Sequence, residues 1–395
     1  MNRELAHIIL AQICLHACMA GTRMAAPLLA LREGYSPAAV GVLLALFALS
    51  QVFLALPSGR YTDRHGLKRP VGLSVIAAVV GAGAAAAFPV FPVLCLAALL
   101  TGAATGASVI ATQRHVGRAA SGALELRKIF GWLSIGPASS NFIGPFSAGL
   151  LIDHAGATAG SLQGYRAAFF VLALLPLMSW WLLRRVHELP AIVAVSGGTT
   201  PRAWDLLQGA DFRRLLLVNW LLSSCWDVHT FVVPVLGHEY GLPASVIGTI
   251  LGAFAVAAVA VRMLLPLLAN RIREWAVLCG AMLFTALLFG LYPLMPNAWA
   301  MGICSVLLGL ALGMVQPMVM SLLHQFTPEA RHGEALGLRM MAINASSVVM
   351  PLFFGTAGAV IGIAGVFWFA GAAVGSGARA AWRLKKSLPL EQRPL

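Results

Sequence analysis

Charged residues are scarce in this sequence. Only 10% of its 395 residues are Asp, Glu, Lys or Arg, against roughly 25% in soluble domains. A chain this poor in charge cannot cover a water-facing surface, which excludes an ordinary soluble protein. Of the two signs the acidic one is the rarer, 14 residues against 27 basic ones. Cysteine occurs six times, and Cys14, Cys18, Cys95, Cys225, Cys279 and Cys304 all fall inside apolar runs. None has a loop position suited to a disulfide framework or a zinc site, so no metal is expected. The sequence also lacks H-E-x-x-H, G-x-S-x-G and the phosphate-binding G-x-x-x-x-G-K-[ST]. These absences argue against a metalloprotease, an α/β-hydrolase and a built-in ATP motor. Neither an enzyme nor a cofactor is expected.

What is there instead is apolar sequence, 59% of the chain. Its long runs recur from end to end, so the solvent for most of this protein is lipid. The length fits about twelve spans of ~20 residues joined by short loops. They begin at 5–30, where the run is too long for a cleavable leader, and end at 361–382. The longest connection, 187–212, contains Ser196, Gly197, Gly198, Thr199, Thr200 and Pro201, a flexible linker composition. It divides the chain into an N-terminal six-helix bundle, 1–186, and a C-terminal bundle with a short tail, 213–395.

The net charge of +13 would suggest nucleic acid as a partner in a soluble protein. Here most of the basic residues sit at the N-terminus, in the even-to-odd loops, in the linker and in the tail, where they set topology instead. Nucleic acid is therefore not expected as a partner. Both termini are expected in the cytoplasm, the chain crossing a bacterial inner membrane many times.

The second half repeats the first at a shift of about 207 residues. Gly41, Leu44 and Phe47 align with Gly248, Leu251 and Phe254, and Gly102 and Gly106 with Gly309 and Gly313. Gly131, Pro145 and Gly149 align with Gly337, Pro351 and Gly355. Shared Gly and Pro spacings along several spans imply two similar bundles, with sites between them near the midplane. Small residues at such positions let helix backbones approach closely. The repeat fails where chemistry is concerned: Asp63 aligns with Asn270, Arg262 with Ala55 and Arg339 with Leu133. A one-sided latch follows, with substrate and proton sites biased toward the second half.

The loop after the second span reads Gly59-Arg60-Tyr61-Thr62-Asp63-Arg64-His65-Gly66-Leu67-Lys68-Arg69. It resembles the signature G-x-x-x-D-R-x-G-x-[RK]-[RK] of the major facilitator superfamily, and the resemblance extends over essentially the full length. It implies an all-α integral membrane fold of twelve transmembrane helices in two pseudo-symmetric six-helix bundles. It also implies that Gly59, Asp63, Arg64, Gly66, Lys68 and Arg69 form a conformational latch at the cytoplasmic ends, with Arg114 as a partner. A carboxylate suits that task because it binds a helix N-terminus or a cation. The fifth span holds Gly136, Gly144, Pro145 and Gly149, which resemble the family's antiporter motif, with Ala148 where a Gly is usual. In the fourth span Leu99 stands where a third family motif has an Arg, so proton coupling through that Arg is not implied.

Ionisable residues within spans are costly and are site candidates. Arg23 and Asp227 lie at similar depth in the repeat-related first and seventh spans, and His229 aligns with Arg23. An interbundle pair is the expectation for these three, with a carboxylate that takes up a proton or, as the alternative, a static neutralised pair that only holds helices together. Arg262 and Arg339 could snorkel to the interface or line a cavity and favour an anionic solute. Asn219, Ser223, Trp226 and Thr230 form a stripe beside Asp227, and Thr101, Thr105, Ser108 and Thr112 form another in the fourth span. Asn141, Gln316 and Asn344 complete the cavity candidates.

The favoured reading is secondary active transport of a small organic solute by alternating access, with proton-coupled efflux ahead of uptake or facilitated diffusion of a metabolite such as an organic acid. A transport-dead membrane sensor or scaffold is the non-transporter alternative. The expected partners are the solute, a proton and membrane lipid, and the expected state is a monomer.

Overall fold

The computed structural model describes residues 3–35, 37–156, 158, 161–189, 203–240, 242, 244–268, 272–295 and 297–387. The described residues form thirteen α-helices and no strand. These are α1 (Arg3–Arg32), α2 (Pro37–His65), α3 (Lys68–Ala87), α4 (Phe91–Ala119), α5 (Ala123–Leu133), α6 (Ile135–His154) and α7 (Leu162–Leu183). They continue as α8 (Ala210–Glu239), α9 (Ala244–Leu268), α10 (Glu274–Leu291), α11 (Ala298–Gly313), α12 (Val315–Phe326) and α13 (His332–Arg383). The fifth expected span is α5 and α6 together, interrupted at Ser134, and the tenth is α11 and α12, interrupted at Met314. Conversely, α13 carries the eleventh and twelfth spans and turns between them at Gly362 (φ 72°, ψ 167°), a conformation open only to glycine. The thirteen helices thus carry the twelve spans.

Eight of the described helical segments are long and apolar enough to cross a membrane. Their outward faces carry large apolar side chains, such as Phe53 at 70% and Ile76 at 61% exposure, as lipid contact requires. Their inward faces are built from small residues. Ala78, Ala82 and Ala85 of α3 meet Ala97 and Ala98 of α4 within the core of the first half. Lipid tails are as apolar as leucine, so helices associate in a bilayer by close packing of small side chains.

The chain forms two compact units. Unit 1 is Met1–Ala119, Ile135–Thr199 and Glu329–Asn344. Unit 2 is Ala120–Ser134, Thr200–Pro328 and Ala345–Leu395. Each therefore takes one short helical stretch from the other half of the sequence: α5 lies in unit 2, and the start of α13 lies in unit 1.

The glycine repeat has the same physical meaning in both units. A Cβ on Gly102 would meet the Phe47 carbonyl oxygen at 2.5 Å, and one on Gly309 the Phe254 carbonyl oxygen at 2.3 Å. Gly106 packs on Gln51, and Gly313 on Ala258, one turn further along the same two crossings. The α2–α4 and α9–α11 crossings are backbone against backbone at matching positions. Asn270 and Arg271, together with most of the linker, lie outside the described residues, as do the surroundings of Pro351 and Gly355.

Candidate functional site

In unit 1 the C-terminal end of α2 meets the first turn of α13. Gly59 and Gly333 face each other so closely that a Cβ on either would fall within 2.2 Å of the other's carbonyl oxygen. That approach brings Asp63 under the start of α13. Its Oδ1 accepts from the Gly333 N–H at 2.9 Å, and its Oδ2 from the Glu334 N–H at 3.0 Å. The first N–H groups of a helix lack intrahelical partners and carry its positive end, so a carboxylate satisfies both needs. Arg114, near the end of α4, completes the clasp: its Nε lies 2.6 Å from Asp63 Oδ1 and another guanidinium nitrogen 3.2 Å from the Asp63 carbonyl. Both side chains are largely buried, 3% and 10% exposed.

Sequence reasoning paired Asp63 with Arg114 but missed the acids on the α13 side. Glu334 is held by Arg60 at 2.9 Å and Arg331 at 2.8 Å, and Glu329 by Arg118 at 2.7 Å. A Glu three residues after Arg331 was the visible clue. Glu188, also missed, accepts from the backbone N–H groups of Leu67 (2.7 Å) and Lys68 (3.1 Å) at the start of α3. Gly66 (φ 75°) leaves the room that this carboxylate occupies. Lys68 donates to the Arg184 carbonyl at 3.3 Å, while Arg64 and Arg69 are exposed.

The antiporter-like residues lie in α6, packed on α1. A Cβ on Gly144 would sit 2.4 Å from the Ala17 carbonyl oxygen, and one on Gly21 2.9 Å from that of Gly144. Gly136 and Gly149 have ordinary spacing to Gln12 and Met24, and Ala148 is fully buried. Pro145 lies inside α6, and Asn141 is exposed. Ser140 ties the seam by reaching the Ile13 carbonyl at 3.1 Å.

The other candidates separate by unit. In unit 1, Arg23 is exposed on α1. Thr101, Thr105 and Thr112 are buried and donate to the carbonyls of Ala97, Thr101 and Ser108 in their own helix. The hydroxyl protons of these three threonines are thus used within their own helix. Arg339 is buried, and Asn344 donates to the Met340 carbonyl at 2.8 Å. In unit 2, Asp227 is half-buried on α8. His229 is fully buried, stacked on Phe254 and bonded to Ser305, which also meets the Tyr292 hydroxyl. Asn219 is fully buried with neither amide atom bonded to a described protein group, and Ser223 is half-buried above it on α8. Thr230 is exposed, and Gln316 is half-buried on α12.

Arg262 is buried and points inward, so it does not snorkel. It donates to the Gly313 carbonyl at 3.0 Å and the Ser134 carbonyl at 3.4 Å. Those residues stand at the C-terminal ends of α11 and α5, where helix carbonyls lack partners and a cation is favoured. Trp226 lies beside it, with the guanidinium 5.6 Å from the ring centroid.

The chain matches the sequence profile of the Major Facilitator Superfamily over residues 8–210 and 215–394. It belongs to that superfamily. As a member it is a multi-pass membrane transporter of small-molecule solutes and not an enzyme. Among curated relatives it is similar to multidrug resistance protein MdtG of Escherichia fergusonii, with 26% identity over 339 residues, 82% of this chain and 79% of that one. Its fold is similar to the crystal structure of a bacterial homologue of the iron transporter ferroportin in the outward-facing state, with a TM-score of 0.80 and 16% identity over 98% of this chain and 100% of that one. It is also similar to the human organic anion transporter MFSD10, with a TM-score of 0.77 and 15% identity over 96% of this chain and 99% of that one. The proton:xylose symporter XylE has a TM-score of 0.72 and 13% identity over 96% of this chain and 95% of that one.

Proposed function

We propose that this superfamily member is a proton-coupled exporter of small organic solutes in a bacterial inner membrane, working by alternating access as a monomer. The observation that carries alternating access is the Asp63 clasp. It joins the end of α2 to a helix from the other half of the sequence through two hydrogen bonds, with two more from Arg114 of α4 holding the carboxylate, and all four can be made and broken without covalent change. In this reading 1–186 and 213–395 are the moving bundles, 187–212 is the link, and both termini are cytoplasmic. The α1–α6 glycine seam supports export, as does the name of the curated relative. Coupling is assigned to Asp227, paired with Arg23 in one state and protonated in another, with His229 beside it. A ligand that prefers one of two states shifts their populations by its differential affinity, and a proton acts in the same way.

An organic acid as solute is the second reading, drawn from Arg262 and Arg339. The engagement of Arg262 with two helix-end carbonyls counts against its holding a solute carboxylate.

The test begins with a thermal-shift screen of the purified protein against lipophilic cations, sugars and carboxylates. A ligand at 100 times its Kd stabilises by about 2.7 kcal/mol. The strongest hit is then driven into inside-out vesicles by a proton gradient. Asp227→Asn should abolish proton-driven accumulation while leaving downhill movement of the solute. Unchanged accumulation with an unchanged pH profile would remove Asp227 from the coupling step.

A further inference from the structure

Lys68 and Arg69 of the signature loop belong to a wider basic patch in unit 1, and that patch stands over two apolar stripes. α3 and α7 both lie in this unit, and both are long and apolar enough to cross a membrane. On α3, Leu73, Ile76 and Val80 are exposed, and Arg69 is exposed one turn before Leu73. On α7, Phe170, Leu174 and Leu177 form a second outward stripe, which continues through Trp181 to the exposed Arg184 and Arg185. At these helical spacings each set shares one face of its helix. The two helices meet at their basic ends. The ring of Trp180 lies on Gly72, where an added Cβ would stand 3.3 Å from it, and the Lys68 ammonium donates to the Arg184 carbonyl at 3.3 Å. Four cations, Lys68, Arg69, Arg184 and Arg185, thus crown the stripes, with the indoles of Trp180 and Trp181 at the level between.

We propose that the α3–α7 seam binds an anionic phospholipid, its headgroup phosphate on Arg69, Arg184 and Arg185 and its acyl chains along the two stripes. The layers follow the order of a phospholipid: cations at phosphate level, indoles at the interface, apolar side chains at the depth of the tails. Topology alone requires the charge and none of the rest. The cations are also available. Among the described residues neither Arg69 nor Arg184 has a carboxylate within ion-pair distance. Arg185 lies over the Trp181 ring, 3.9 Å from its centroid, a contact that engages the face of a guanidinium and leaves its N–H edge for phosphate oxygens. Glu188 borders the patch, in a cavity of about 290 Å³ that it shares with Arg64 and Arg69. Its Oε1 is taken by the N–H groups of Leu67 and Lys68, so recognition of an anion falls to the side chains. The end of α13 in unit 2 is also basic but differs in one respect. There the Lys385 ammonium lies 5.3 Å and 5.4 Å from the rings of Trp275 and Trp382, held between indoles of the protein itself.

The test uses the full chain, delipidated in detergent, and three probes: dimyristoyl phosphatidylglycerol, dimyristoyl phosphatidylcholine and glycerol 3-phosphate. Native mass spectrometry gives the affinity of each, and thermal unfolding is followed in parallel. Phosphatidylglycerol should bind the parent at least about fivefold more tightly than phosphatidylcholine, and glycerol 3-phosphate should not compete with it. R184Q with R185Q removes two cations outside the signature loop. It should weaken phosphatidylglycerol about tenfold, in line with the attraction of single basic residues to anionic lipid, and leave phosphatidylcholine unchanged. R379Q with R383Q, at the end of α13, should leave both lipids unchanged. R184K with R185K should retain the preference for the anionic lipid. Equal affinity for the two lipids would overturn the proposal, and so would equal losses from the α7 and α13 pairs, which would mean diffuse attraction to a basic surface. Competition by glycerol 3-phosphate would make the site one for free phosphate and overturn it too. If the glutamine pair melts lower without lipid, the lysine pair decides, and loss of its preference would refute the site.

Discussion

Arg262 illustrates how one residue acquires a role that its type alone does not assign. A lone arginine within a span suggests either snorkelling or an anionic ligand. Its actual partners are carbonyls at the ends of α5 and α11, which exist as acceptors only because both helices break where they do. Arg262→Lys retains the charge but loses the planar fork that serves two acceptors. It should destabilise the protein by about 1–2 kcal/mol, read as a lower melting temperature in detergent, while the charge preference of bound solutes stays unchanged in a thermal-shift screen. An unaltered melting temperature with anion binding lost would reassign the residue to the solute cavity.

At the scale of elements, helix crossings are the features most legible in the sequence. The order of Gly102, Gly106, Gly309 and Gly313 predicted two related close approaches, and each glycine does face a partner at the aligned position of its own unit. The prediction is differential. Gly102→Ala and Gly309→Ala force a Cβ into backbone carbonyls and should each cost about 1–3 kcal/mol. Gly83→Ala, within α3 and with nothing inside 4 Å of the added carbon, should instead stabilise by about 0.4–1 kcal/mol. Thermal unfolding of the three variants side by side checks this, and equal shifts would refute the packing argument. The hydroxyls of Thr101, Thr105 and Thr112 were less legible. Their spacing marks a helix face, but only the folded chain shows them buried and bonded to the carbonyl four residues back.

For the whole molecule, the proposed cycle makes transport depend on contacts far from any solute. Asp63→Asn removes a charge that meets a helix terminus and a nearly buried Arg114. Leaving that guanidinium unpaired costs about 3–5 kcal/mol in comparable buried pairs. The variant should still insert and bind the screened hit, yet its turnover in vesicles should fall at least about tenfold, since 1.4 kcal/mol of altered state balance is tenfold in population. Binding lost together with turnover would place Asp63 in folding instead of in the cycle.

The sequence by itself determined the solvent, the span count, the repeat and the signature loop. These depend on composition, periodicity and local spacing, which a chain carries whether or not it is folded. It also determined which residue of that loop carries the acid, and it named Arg114 as the partner. Only the tertiary structure decided the rest. It showed that Asp63 holds backbone N–H groups of α13 as well as Arg114, that Glu188 closes the turn at Gly66, and that Arg262 serves two helix ends. It also placed Arg127 against Glu274, two residues with no shared motif and more than a hundred positions apart. The physical reason is that such contacts join ends of helices distant in sequence, and a helix end has free N–H or C=O groups that any suitably placed side chain can satisfy. No residue spacing encodes that choice; the packing of small residues at the crossings does, by setting which ends meet.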